Sequence, residues 1–411
     1  MKKDFIYTFI TEFILILCLL ASYKLADVFF GPKGFTDYSL ARRVIALLQP
    51  VFLVGMSITI PRQVAFNAAS KEKSNEIFLS AVIILVAVTV ALSAIMLAFK
   101  KQFSVFLFDD AAYTRYIFPM TVAMAGMVIH SAVYGYYRGI MRMNKANVLQ
   151  LLMLGIIPLL AMYFAAGISQ LFLITGILWM AVSFFFLAGI ILQMKFSAAS
   201  VIKNMGETFG HGIQRLPADL GVAALLSLPV IFYTHSFGTV QAGYLAFSIS
   251  LLSMTGVALK PIGLIMLPHA TTLIAERRHS LLKQQVRKMF LYFLILAAVV
   301  TAGFEILSPQ LLAVFFGRKN PELVFISRFV MSSCAAFMFY VFFRSIIDAA
   351  HHHSYNTLNI VLAIAFLAAG SAAGFIFDVG RSYLLFIFVL SVLILGVLTY
   401  FQIKKITGQE L

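Results

Sequence analysis

The sequence predicts an all-α polytopic membrane protein, with twelve transmembrane helices arranged as two pseudo-symmetric six-helix lobes. Three observations predict it. Of 411 residues, 62% are hydrophobic and only 11% charged, with a mean hydropathy of +0.97; a soluble domain would carry about 25% charged residues. The apolar runs last roughly twenty residues without alternating, the length of a membrane-crossing helix and not of a ten-residue barrel strand. Landmarks of the first half recur in the second at one constant offset.

Taken in order, the predicted spans are 5–30, 38–61, 77–99, 115–137, 147–167, 171–194, 216–236, 240–268, 286–308, 323–345, 356–377 and 382–403. The first is too long for a cleaved signal peptide and carries Glu12, Lys24 and Asp27. Gly31 follows Phe30 at its end, and Pro61 closes the second span just before Arg62. Gly238 follows Phe237, and Pro268 precedes His269, at the same spacing and 207 residues later. The same offset lays Glu12 on Asp219. Span four ends Tyr136-Tyr137-Arg138 and span ten ends Phe342-Phe343-Arg344, each followed by a polar turn and an asparagine, Asn147 or Asn356. The predicted organisation is an N-terminal lobe over 1–198, a polar cytoplasmic linker over 199–215 and a C-terminal lobe over 216–411. The longest outer loops fall at 100–113 and 308–322. Repeated helical bundles of this kind are most often transporters, with substrate handled between the repeats.

Lys and Arg placement sets the orientation. With the N-terminus inside, the cytoplasmic side receives most of the 31 basic residues, among them Lys71, Lys73, Arg138, Arg142, Lys203, Arg215, Arg278 and Lys405. Both termini are therefore predicted to be cytoplasmic, in a multi-pass membrane protein. Much of the net charge of +15 is this positive-inside signal, facing anionic membrane lipids. A nucleic-acid partner would need a basic soluble surface with aromatics, and no stretch supplies one. Cys18 and Cys334 both lie in apolar spans and build no disulfide framework. No phosphate-binding loop, metal-ligand spacing or nucleophile elbow occurs, so neither an enzyme nor a cofactor or metal is expected. His351-His352-His353 reads as a solvated loop.

The informative residues are ionisable groups inside spans, each costing roughly 2.5–3.5 kcal/mol at a helix centre on insertion scales. Lys260 lies deep in span eight, with Pro261 after it and Gly256 and Gly263 on either side. A helix broken there would aim an ammonium and freed N–H groups at an anion; the alternative is a lysine neutralised by a buried acid. Lys24 and Asp27, three apart, either face a cavity or neutralise each other. Arg42 and Arg43 point about 100° apart, so one anchors at the interface while the other faces inward. Arg62 is either a headgroup contact or a positive-inside anchor. Asp219, Glu12 and Asp27 are the candidate ion-coupling acids, although Asp219 is equally placed to pair with Arg215. Pro61, Pro261 and Pro268 are the candidate hinges.

Gly31-Pro32-Lys33-Gly34-Phe35 followed by Tyr38-Ser39-Leu40, Arg215-Leu216-Pro217-Ala218-Asp219, Ala242-Gly243-Tyr244, and Pro261-Ile262-Gly263 with Pro268 resemble the Wzx-type oligosaccharide flippases. These belong to the wider superfamily of MATE drug exporters and the lipid II flippase. The resemblance covers most of the chain. It implies two lobes around a central cavity in the bacterial inner membrane, alternating access, and an undecaprenyl-diphosphate-linked glycan as cargo, destined for surface polysaccharide such as O-antigen. A diphosphate needs cations, and Lys260, Lys24, Arg42 and Arg62 are the supply. The expected partners are that glycan lipid, membrane lipids, a coupling H+ or Na+, and polysaccharide polymerase and glycosyltransferase proteins. The rivals are a MATE-like exporter of organic cations, which needs an acidic cavity, and a non-transporting scaffold or polymerase subunit of envelope assembly.

Overall fold

The computed structural model describes residues 2–408 except 277, 351–354 and 378, and all side chains within them except those of 2–5, 260, 261, 264, 265, 267–269, 275 and 279. The His351–His353 tract thus lies outside the described residues. The described residues are mostly helical, with no strand among them. Among the described residues ten helices are long and apolar enough to cross a membrane, and a pair bent by 42° makes an eleventh span. The first of the ten is itself two arms either side of Gly31, which completes twelve. The chain divides into two compact units, 1–223 and 224–411.

Unit 1 begins with α1 (Lys2–Leu53), whose arms fold back on each other at Gly31. Gly31 has φ 71° and ψ −175°, a conformation essentially restricted to glycine. Tyr23 of the first arm then meets Phe35 and Tyr38 of the second edge-on, at ring-centroid distances of 6.2 and 5.3 Å. There follow α2 (Met56–Phe66), α3 (Lys71–Ala98), α4 (Lys100–Phe108), a 3-10 turn (Ala111–Tyr113) and α5 (Thr114–Gly139). Next come α6 (Met143–Gln150), a π-helical segment (Leu151–Ile156), α7 (Ile157–Phe164), α8 (Ile168–Ile191) and α9 (Ala198–Ile213). The helix α10 (Leu216–Phe237) leads into unit 2.

Small residues let these helices approach closely, the usual basis of packing in membranes. A β-carbon on Gly176 of α8 would lie 2.5 Å from the Ala123 nitrogen of α5, and one on Gly126 would meet Trp179 at 2.7 Å. Gly139 of α5 leaves room in the same way for Val64 of α2.

Unit 2 consists of the remainder of α10 (224–237), α11 (Thr239–Ala275), α12 (His279–Phe316), α13 (Pro321–Met331), α14 (Cys334–Ala350), α15 (Tyr355–Ile376) and α16 (Arg381–Gly408). Gly238 enters α11 with φ 81° and ψ 169°, nearly the backbone of Gly31. The recurring glycine is therefore a recurring conformation.

Several sequence expectations are corrected. The second span does not run unbroken to Pro61: it breaks at Val54 (φ 46°) and Gly55 (φ 69°), and Pro61 sits inside α2. The 100–113 loop holds α4 and a 3-10 turn, and most of the 308–322 loop belongs to α12, which continues through Pro309 to a Gly317 cap with φ 68°. The linker is also ordered. Its helix α9 buries Val201, Thr208 and Gly212, and α3 clasps it: Ser80 Oγ donates to the Val201 carbonyl (2.7 Å), and Ser197 N–H to Glu76 Oε1 (3.0 Å).

The broken helix expected at Lys260-Pro261 is absent, since α11 is helical through Lys260, Pro261 and Pro268. The flanking glycines serve packing instead. A β-carbon on Gly256 would meet Phe337 at 2.9 Å, and one on Gly263 would meet Ser345 Oγ at 2.7 Å, both on α14. Contact with α14 along this face holds the helix together around the bond that a proline removes.

Candidate functional site

Two buried polar clusters form in unit 1. The first joins the two arms of α1. Arg42 Nη1 donates to Tyr38 Oη (3.2 Å), and the guanidinium lies over the rings of Tyr23 and Tyr38, 5.6 and 5.7 Å from their centroids. Tyr38 in turn stacks on Phe172 of α8 at 5.9 Å. Arg42 is half-buried, while Arg43 beside it, Tyr23, Tyr38 and Asp27 are buried. Lys24 is half-buried one turn from Asp27. Neither arginine is an exposed interface anchor. Arg42 is held by aromatic faces, an arrangement worth roughly 0.5–2 kcal/mol that leaves its charge largely available to an anion.

The second cluster joins the first arm of α1 to α5 and α6. Gln150 Nε2 donates to Glu12 Oε1 at 3.4 Å, and Asn147 Nδ2 donates to Thr8 Oγ1 at 3.1 Å; all four residues are buried. On α5, one turn apart, His130 stacks against Tyr134 at 5.8 Å, and Arg138 lies over the Tyr134 ring at 5.5 Å. The π-helical segment starts immediately after Gln150. A π-turn leaves backbone carbonyls out of register, and Trp179 Nε1–H of α8 donates to the Met153 carbonyl.

The other predicted residues stand apart. Arg62 is exposed on α2. Asp219 is half-buried at the start of α10, where Ser57 Oγ donates to its Oδ2 at 3.4 Å. The side chains of Lys260, Pro261 and Pro268 lie outside the described residues. Sequence reasoning missed Asp37, a buried carboxylate that accepts from Tyr113 Oη (2.5 Å) and Tyr116 Oη (3.0 Å), tying α1 to α5. It also missed Gln150 and His130. Among these only Asp37, a charge at the very start of the apolar second span predicted over 38–61, left a usable signal. Among the described residues, no three His, Cys, Asp or Glu side chains converge as a metal site.

No family description and no curated protein sequence matches the chain. Solved structures do. An inward-facing multidrug resistance MATE family transporter of the MOP superfamily matches with a TM-score of 0.73 at 13% identity, covering 98% of each chain. The chain has the MATE fold. An outward-facing MATE family transporter matches with a TM-score of 0.69 at 11% identity, over 99% of this chain and 96% of that one. A MOP superfamily transporter from Pyrococcus furiosus, described by a binding pocket of reverse polarity that suggests a different function, matches with a TM-score of 0.69 at 12% identity over the same shares. The MATE fold accounts for the twelve spans.

Proposed function

We propose that the chain is a secondary membrane transporter working by alternating access, and that its cargo is an undecaprenyl-diphosphate-linked oligosaccharide flipped toward the outer leaflet. The fold supports the transport part, because its solved relatives include both inward- and outward-facing transporters. The cargo rests on one observation: Arg42 and Arg43 lie inside an apolar helix, and Arg42 is held by tyrosine faces. A cation kept this way suits a diphosphate. At an effective dielectric of 20 each pair at 4 Å is worth about 4 kcal/mol. Lys24, Lys260 and Arg62 are the further cations in this reading, and Val54–Gly55 replaces Pro61 as the bending point of unit 1.

Glu12 favours a second reading, a MATE-like antiporter of organic cations. It is a buried carboxylate next to a π-helical segment, and such segments are frequent at functional sites. In the flippase reading Glu12, with Asp27 and Asp219, serves the coupling H+ or Na+ instead.

Proteoliposomes separate the two. Wild-type protein is expected to move a fluorescent polyprenyl-diphosphate glycan between leaflets. Arg42→Gln should reduce the rate at least tenfold in a protein that stays folded, at a stability cost of about 0.5–2 kcal/mol for the lost ring contacts. An Arg42→Gln protein that flips at the wild-type rate, or a wild type that transports ethidium but not the glycan lipid, sinks the flippase reading.

A further inference from the structure

Unit 2 carries a groove of about 1050 Å3 between α12 and α13, outside both polar clusters of unit 1. One end of it is built around a proline. Pro309 has no N–H, so the Glu305 carbonyl four residues earlier loses its helical donor. Arg328 of α13 replaces it, with Nη2 donating to that carbonyl at 2.6 Å. The same guanidinium donates through Nε to Ser308 Oγ at 2.9 Å and lies 3.8 Å from the Glu305 carboxylate. Arg328 is thereby fixed in place and balanced by one acid.

At the opposite end, by the turn between α12 and α13, stand Lys319 and Asn320, while Gln310 and Ser332, which can both donate and accept, also line the groove. Lys319 is exposed at the rim. Asn320 turns its Oδ1 to capping α13, accepting from Leu323 N–H at 3.0 Å, and has its two amide N–H groups to offer a ligand. With Glu305 paired to Arg328, Lys319 is a surplus positive charge. Between the two ends the walls are apolar, with Val314, Val324 and Phe325. Val314 is 84% exposed, and only 11% of the most apolar stretch of α12 is buried. A basic, donor-rich end joined to an open apolar wall is complementary to an amphiphile with an anionic head.

We propose that this groove binds the phosphate headgroup of an anionic membrane lipid, with an acyl chain laid along α12. The inference is independent of the cargo proposed above.

The test is native mass spectrometry of the delipidated, purified protein, titrated with phosphatidylglycerol or phosphatidylcholine. Phosphatidylglycerol should bind more tightly than phosphatidylcholine. Lys319→Gln should weaken it about fivefold, the share of one basic residue, and Ala313→Trp, which fills the groove, should remove it. Lys283→Gln, an exposed lysine near the other end of α12, should change nothing. Where Ala313→Trp melts below wild type, the Lys319→Gln comparison decides. Equal affinity in Lys319→Gln and wild type, or equal binding of the two lipids, overturns the proposal. Displacement of the lipid by an equal concentration of inorganic phosphate assigns the site to free phosphate and overturns the lipid occupant.

Discussion

Gly55 and Gly212 meet backbone to backbone: a β-carbon on Gly55 would lie 2.2 Å from the Gly212 carbonyl oxygen, and one on Gly212 would lie 2.5 Å from the Val54 carbonyl oxygen. The break in the second span and the helix α9 thus share one contact, and only glycines fit on both sides.

Gly55→Ala and Gly212→Ala should each destabilise the protein by about 1–3 kcal/mol, the range for strained backbone and close contacts. Gly210, on the same helix, has open space where a β-carbon would sit, with nothing within 4 Å. Gly210→Ala should therefore be neutral or stabilising by about 0.4–1 kcal/mol. Thermal melting in detergent checks all three, and similar melting for Gly212→Ala and Gly210→Ala would contradict the contact.

The turns at Gly31 and Gly238 make a paired prediction. A β-carbon meets nothing within 4 Å at either position, so the cost is conformational alone. Gly31→Ala and Gly238→Ala should lose similar stability, about 1–3 kcal/mol each. Gly189→Ala in α8, also in open space but helical, should not lose any. Melting temperatures of the three variants give the comparison.

Glu12→Gln keeps a hydrogen-bonding group beside Gln150 while removing the charge. If Glu12 carries the coupling ion, this variant should fold normally and lose the dependence of transport on an imposed pH or Na+ gradient. An unchanged gradient dependence in proteoliposomes would remove Glu12 from that role.

Lys260→Ala should abolish most transport at a normal membrane level, and Lys260→Arg should keep a substantial part, since charge survives while geometry changes. If Lys260 instead neutralises a buried acid, Lys260→Ala should destabilise by several kcal/mol. Transport and melting measured on the same preparations separate the two roles. Wild-type transport by a normally folded Lys260→Ala protein excludes the anion contact.

The orientation is tested by single cysteines in a version lacking Cys18 and Cys334. Gln102→Cys should react with an impermeant thiol reagent outside whole cells, and Ala199→Cys should not; both positions are exposed. The reverse pattern would invert the topology and with it the direction of transport.

Hydropathy alone determined that the chain is a bundle of membrane-crossing helices, because hydrocarbon leaves the backbone no other local solution. The recurring Gly31 and Gly238 were legible for a similar reason, since their backbone conformation nearly requires glycine. The breaks were not. Pro61 and Pro261 carried the sequence signal for bending, yet both sit in continuous helix, while Val54–Gly55 bends where α9 presses against it. A proline costs a helix one hydrogen bond, and contact with a neighbouring helix can offset that loss. Lys24, Asp27, Arg42 and Glu12 stood out in sequence as charges in apolar spans. Their surroundings of Tyr23, Tyr38, Gln150 and the π-helical segment did not, because these partners come from other turns and other helices. Only the tertiary structure brings together residues as distant in sequence as Glu12 and Gln150, and those contacts decide whether a buried charge is neutralised or held ready for a ligand.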